Sequence, residues 1–424
     1  PGGEVLQVPF EGEHRTLRVP PAASSVRLIG QDSVVFLLED QLYGAQLPSD
    51  STAVAEGQLI TDDAALYPAV SRKGSVLYVS DDGLRVRRPD GSTARVGWPI
   101  QFRSPTYVDL VIRNVRLVEG QGSEGDLSDV LMADGRIEQI TPPGHVPVAD
   151  GAQVIDAEGR FVIPGLIDLH QHPSSEAHLR GMLYFGVTTM RDMGNPISLV
   201  AAWRDAVTAG AIPGPRIVVA GLLFYPGCVA SGGVWCQFTE YEQNPSDESE
   251  AVRGLALAQA FGIGVVKMYS PASLSAGRRF IELAHGLGLP VTGHSGHNLP
   301  LVASGMDGEE HGSNIGVPAV ARAADLVVTP TPIARFAKDL SSDPDIFSNP
   351  ELTAFTDPAD LRWYSGPPFV ASRVPEAERI IRENRSNVRR LHDAGVTLGA
   401  GTDFVAPPWA LHTALEELVA VSYT

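Results

Sequence analysis

Cysteine, positive charge and long apolar runs are all scarce in this sequence, and each shortage removes a class of protein. Among 424 residues the only cysteines are Cys228 and Cys236, both in the stretch Pro226-Gly-Cys-Val-Ala-Ser-Gly-Gly-Val-Trp-Cys236. No third Cys or nearby His completes a tetrahedral set, so a zinc site on these sulfurs is not expected; a disulfide or two free thiols both remain open. Lys and Arg number 32 against 50 Asp and Glu, a formal net charge of −18 with no basic run. A nucleic acid would meet repulsion rather than release counterions. Apolar stretches such as 33–38 and 161–167 fall far short of the ~20 residues that cross a bilayer, so no spanning helix is expected. What is present is 43% hydrophobic residues at a mean hydropathy of +0.01, the balance of folded, water-exposed domains.

Three segments follow one another. Residues 1–103 read as all-β, with short β-branched runs divided by Gly, Pro, Asp and Ser. Ser33-Val-Val-Phe-Leu-Leu-Glu-Asp40 recurs as Ser75-Val-Leu-Tyr-Val-Ser-Asp-Asp82. A period of about 40 to 45 residues with four short strands per unit is that of a β-propeller blade. Typical propellers close with about four to eight blades, so blades upstream of Pro1 are expected. Residues 107–160 read as a small β-sheet, with a turn at Asp134-Gly135. From 161 to 424 the pattern alternates, with strand ends expected near His172, Met193, Gly221, Tyr269, His294, His311, Pro332 and Asp403. Amphipathic helices are expected at 250–261, 276–287 and 376–394, and an irregular loop at 334–375. Eight alternating units indicate an α/β fold of TIM type, a (β/α)8 barrel, behind the small sandwich-like sheet and the incomplete propeller blades.

Residues with metal-ligating chemistry recur at those strand ends. Side chains at i and i+2 of a strand share a face, so His170 and His172 point the same way and Gln171 points back into the packing. Lys267 lies in the apolar strand Gly264-Val-Val-Lys-Met-Tyr-Ser270, where a charged amine is costly. It either snorkels to the strand end or stays as a nucleophilic amine that takes up carbon dioxide as a bridging carbamate. His294 and His311 end the next two strands, as structural imidazoles or as ligands of a second ion. Asp403, after Gly399-Ala-Gly-Thr402, is either a helix N-cap or a metal ligand that also serves as general base and later as acid. Metal coordination would bring the pKa of a bound water toward neutrality, supplying hydroxide for hydrolysis. Glu240, Glu242, Asp339 and Asp343 read as surface charge.

With these residues in order, the chain resembles the amidohydrolase superfamily, in the branch of imidazolonepropionase-related enzymes and metal-dependent Xaa-Pro-type dipeptidases. The resemblance covers about residue 107 onward. Its motifs are Val162-Ile-Pro-Gly-Leu-Ile-Asp-Leu-His-Gln-His172, Phe185-Gly-Val-Thr-Thr-Met-Arg-Asp192, Val266-Lys-Met-Tyr269 and Gly399-Ala-Gly-Thr-Asp403. It implies that His170 and His172 bind a first divalent ion and that Lys267 is the carbamylated bridge. His294 and His311 would then bind a second ion, zinc being expected for both, and Asp403 would be the catalytic carboxylate. Tyr269 matches a tyrosine that polarises the substrate carbonyl, or is simply a packed core residue. His412 matches a recurring position without evident ligand geometry. Family members continue into strands that complete the small sheet, so a fragment cut at both ends is expected.

The leading expectation is hydrolysis of an amide or peptide C–N bond in a small or dipeptide-like substrate. Its alternatives are a mononuclear cyclic-amide hydrolase or deaminase, a lactonase or phosphotriesterase, and a propeller-based binding module with an inert barrel. The resemblance to propeller-fused amidohydrolases, which are commonly exported, favours a periplasmic or secreted location over a cytoplasmic one, and a homo-oligomer is compatible.

Overall fold

The computed structural model describes residues 4–10, 13–19, 24–29, 33–38, 41–46, 57–60, 66–71, 73–80, 83–96, 109–118, 124–220, 223–224, 248–269, 273–294, 299–312, 315–332, 335–336, 338–339, 349–356, 374–403 and 407–421. They belong to two compact units, Pro1–Phe102 and Arg103–Thr424. Cys228 and Cys236 lie outside the described residues, as do Glu240, Glu242 and Asp343, while Asp339 pairs with Arg335 at 2.8 Å.

In the first unit, Glu4–Phe10 and Glu13–Val19 form a hairpin, and two four-stranded antiparallel sheets follow. One contains Ser24–Ile29, Ser33–Leu38, Gln41–Gln46 and Gln58–Leu59; the other Leu66–Val70, Val76–Ser80, Gly83–Arg87 and Thr93–Arg95, each in chain order. The repeated sequence thus contains the second strand of each sheet, Ser33–Leu38 and Val76–Ser80. Val34, Val35 and Phe36 are all fully buried, so this strand is covered on both faces, which is why it reads as a continuous apolar run. Val35 and Leu42 share a core cluster with Val76 and Tyr78.

The second unit opens with a sheet ordered Arg136–Thr141, Glu124–Ala133, Leu110–Val118, Gln153–Asp156. Asp134 (φ 49°) and Gly135 (φ 71°) make its tight hairpin, the positive-φ pair that matches strand twist. Phe161–Val162 also pairs with Leu110–Val118, in parallel. The apolar run from Phe161 is therefore divided at Pro164-Gly165, and its second part, Leu166–Gln171, begins a parallel array.

That array comprises a three-stranded sheet, Leu166–Gln171, Val187–Asp192, Arg216–Val219, and a six-stranded sheet, Leu223–Phe224, Val266–Met268, Val291–Gly293, Gly308–Glu310, Val327–Thr329, Thr397–Leu398. The Gly264 amide donates to Val219 O at 3.1 Å and the Leu169 amide to Ala400 O at 2.9 Å.

Helices lie between the strands. Leu274–Gly286 starts where the Ser273 hydroxyl accepts from the Ala276 amide, and it buries Gly277, Phe280, Ile281 and Ala284 at helical spacing. Val374–Asp393 carries Pro375 in its first turn, where no N–H is missed, and buries Ala377, Ile381, Val388 and Leu391. Each of Ile381, Val388 and Leu391 contributes roughly 1.5–3 kcal/mol when removed from water. Within the expected loop 334–375, the described residues include a one-turn helix, Pro350–Thr353, capped by the Asn349 side chain. Among the described residues no helix is long and apolar enough to cross a membrane.

Candidate metal centre

The chemistry-bearing residues gather at the C-terminal ends of the parallel strands. His170 lies in Leu166–Gln171 and His172 just past it; Lys267 lies in Val266–Met268 and Tyr269 just past it. His294 follows Val291–Gly293, and His311 follows Gly308–Glu310. Asp403 lies beyond Thr397–Leu398, brought beside the first strand because the Thr402 and Asp403 amides donate to His170 O at 3.1 and 2.7 Å. Small residues before it are required: a Cβ at Gly401 would stand 2.5 Å from Thr329 Cγ2 and 2.9 Å from His170 Cβ. The helix after Asp403 starts at Ala410 with Trp409 at its N-cap, so Asp403 does not cap that helix.

His311 (φ 69°) and Asp403 (φ 66°) both adopt the left-handed conformation without being glycine. Such residues cost about 1–3 kcal/mol each and persist where surrounding structure imposes them. Here backbone bonds hold both, His311 N to Thr329 O at 2.9 Å and Asp403 N to His170 O.

The side chains then meet. Asp403 Oδ1 is 3.1 Å from His170 Nε2 and 3.4 Å from His172 Nε2, and Asp403 Oδ2 is 3.5 Å from His311 Nδ1. His311 Nε2 lies 2.9 Å from His294 Nε2, and Lys267 Nζ lies 3.3 Å from His170 Nε2. The Tyr269 ring packs at 4.3 Å, centroid to centroid, on His294, half-buried at the site edge. Lys267 is 2% exposed, which removes the snorkelling alternative. His412 stands apart, its Nε2 donating to Phe185 O at 2.8 Å.

Electrostatics prepare the cluster for a cation. Burial pushes His172 down to about 4, His294 to about 2 and His311 to about 4, so these imidazoles are neutral near pH 7. Burial also lowers the Lys267 amine, against the opposing pull of Asp403, Glu310 and Asp192. Burial raises the Asp403 carboxyl, yet the charge of His170 and hydrogen bonds from His170 and His172 outweigh it and hold it well below the carboxylate range. Neutral imidazoles and an ionised carboxylate are the forms that ligate metals. Donor atoms of His170, His311 and Asp403 all lie within 4.8 Å of one another, a set that fits a divalent ion.

Three further residues, Glu310, Arg191 and Asp168, were not singled out in the sequence. Glu310, with its side chain 0% exposed, accepts from His170 Nδ1 at 2.7 Å and from Arg191 Nη2 at 2.7 Å. Asp168 accepts from the His170 amide at 3.1 Å and the Thr402 hydroxyl at 2.8 Å, and burial pushes its carboxyl up to about 6. Glu310 adjoins His311, Arg191 stands in the Phe185–Asp192 motif and Asp168 precedes His170 by two residues. Nothing in that local spacing marks them, because their partners are more than a hundred residues away for Glu310 and Arg191 and for the Asp168–Thr402 pair.

Gly293 sets the approach of two adjacent strand ends. Its φ is 151°, and a Cβ there would stand 1.9 Å from Met268 O. Gly293→Ala is expected to destabilise by at least about 3 kcal/mol, since backbone would have to shift. Denaturant unfolding checks this, and a wild-type midpoint would contradict it.

The chain is similar to several known proteins. A dihydroorotase of Geobacter is 30% identical over 213 residues, 48% of this chain and 46% of that protein. An adenine deaminase of Paracoccus denitrificans is 46% identical over 68 residues, 16% of this chain and 11% of that protein. The chain spans about half or less of the length of these curated relatives. A solved Xaa-Pro dipeptidase structure with bound methionine superposes with a TM-score of 0.57 at 18% identity, covering 74% of this chain and 84% of that one, a likeness of fold. The amidohydrolase family profile matches residues 161–420, the stretch that carries every residue of the cluster, and the chain belongs to that family.

Proposed function

We propose that this chain is the catalytic part of a metal-dependent hydrolase that cleaves an amide or peptide C–N bond in a small, dipeptide-like substrate. The observation that carries the reading is the convergence of His170, His311 and Asp403 donor atoms within 4.8 Å, with His172, Lys267 and His294 in contact around them. His170, His172 and Asp403 would hold one divalent ion, His294 and His311 a second, and a carbamate on Lys267 would bridge them; zinc is the expected metal. When bound, the ions would polarise the scissile carbonyl and ease ionisation of water.

The chain's own residues would do the rest. Asp403, ionised and buried, would accept the proton of the attacking water and pass it to the leaving nitrogen. Tyr269, at the edge of the cluster, would donate its hydroxyl proton in a hydrogen bond to the substrate carbonyl oxygen. As neutral imidazoles, His172, His294 and His311 can each offer a nitrogen lone pair to a cation, and burial of the cluster keeps its charges in a low-dielectric setting where they act strongly.

We further read the two parallel sheets as one closed (β/α)8 barrel over 161–424, supported by the Leu169–Ala400 hydrogen bond, with 107–160 as the small sheet and 1–103 as propeller blades. Similarity to a dihydroorotase favours a cyclic amide as the second substrate reading.

Metal analysis beside a substrate panel tests the proposal. About two ions per chain are expected, with hydrolysis of dipeptides or a cyclic amide that a chelator abolishes and zinc restores. A protein that binds no metal and hydrolyses no amide, ester or phosphoester would overturn it.

A further inference from the structure

We propose that Glu310, held by Arg191, is a positioning residue that dictates which nitrogen His170 turns toward the metal centre. This rests on the metal reading above. The Glu310 carboxylate is wholly buried between three donors: Oε2 takes His170 Nδ1 at 2.7 Å, while Oε1 takes Arg191 Nη2 at 2.7 Å and the Thr292 hydroxyl. An ionised carboxylate can only accept, so His170 Nδ1 must carry a hydrogen. Nε2 is the nitrogen that faces Asp403 at 3.1 Å and Lys267 at 3.3 Å, so a cation bound there would displace the proton that Nε2 otherwise gives to Asp403 while Nδ1 keeps its own. With the hydrogen on Nε2 alone, a nitrogen lone pair would face a carboxylate oxygen at 2.7 Å, too close for a donor to stand between them.

Arg191 makes the arrangement rigid. Its Nε donates to Leu169 O at 2.6 Å and its Nη2 to Thr329 Oγ1 at 3.3 Å, besides the bond to Glu310. The network therefore takes one residue or more from each of five parallel strands, those of Leu169 and His170, Arg191, Thr292, Glu310 and Thr329. A cross-brace between strands needs only the Arg191 contact. The second oxygen, spent on His170, is what a positioning role requires, since a carboxylate behind a ligand imidazole fixes its tautomer and orientation.

Histidine-selective 15N NMR of the zinc-loaded wild-type protein, with calorimetric zinc titration of wild type and variants, tests this. His170 is expected to carry its hydrogen on Nδ1, with Nε2 unprotonated. Glu310→Gln is expected to bind zinc about 10–100-fold more weakly and to lose that tautomer preference. Because Glu310→Gln leaves the half-buried Arg191 guanidinium without its anion and could fail to fold, the double variant Glu310→Leu with Arg191→Met removes both charges together; the same loss of zinc affinity is expected. A hydrogen on His170 Nε2, or unchanged zinc affinity in a folded variant whose melting temperature alone has fallen, would make Glu310 a brace and overturn the proposal. A wild-type protein that takes up no zinc would instead overturn the metal reading, and this inference with it.

Discussion

Asp403→Asn is expected to lower kcat for amide hydrolysis by roughly 10²–10⁴-fold, the range attached to a positioned general acid–base group. Asparagine is nearly the same shape, so the variant should fold and bind substrate with little change in KM. What it cannot do is accept a proton. The native carboxylate sits among three imidazoles at 3.1 to 3.5 Å, and the charge of His170 with hydrogen bonds from His170 and His172 keeps it ionised despite burial. Steady-state kinetics with zinc supplied at saturation separates loss of chemistry from loss of metal. A variant that keeps most of its kcat would remove Asp403 from the proposed proton path.

Lys267→Ala is expected to lower the metal content from two ions to one and kcat by roughly 10²–10³-fold, the several kcal/mol at stake when Lewis-acid assistance is impaired. Burial lowers the amine's pKa, which raises the share of free base at neutral pH, and free base is the form that attacks carbon dioxide. In the proposed step an N–C bond would form, one proton would leave for solvent, and the amine would become an anionic carbamate. The alanine variant would leave an unfilled space beside His170, and short carboxylic acids such as acetate or propionate should enter it and restore part of the activity. Two ions retained in the variant, or no response to added carboxylate, would assign Lys267 a structural role.

Much of the architecture was legible because its signals are local. The repeated Ser33 and Ser75 segments, the Asp134-Gly135 hairpin and the helical spacing of Ala377, Ile380, Ile381, Val388 and Leu391 each express a preference of a few neighbouring residues, though Ile380 itself is only half-buried. The helix expected at 276–287 spans Leu274–Gly286, and that expected at 376–394 spans Val374–Asp393, shifts set by Ser273 as a cap and by Pro375 tolerated in a first turn. Leu223–Phe224 was not anticipated, since two residues carry no periodicity. Nor was the pairing of Phe161–Val162 with the small sheet, because an apolar run does not reveal where its backbone hydrogen bonds go.

The sequence by itself determined the order of the chemistry: His170, His172, Lys267, Tyr269, His294, His311 and Asp403, each near the end of an apolar run with turn residues close by. Only the tertiary structure decided their protonation and their partners. Whether Lys267 reaches solvent, which carboxylate backs His170, and why Asp403 can sit beside a strand more than two hundred residues earlier are matters of burial and of contacts between distant segments. Desolvation and Coulomb forces act through space, so residue order alone does not encode them in any short window.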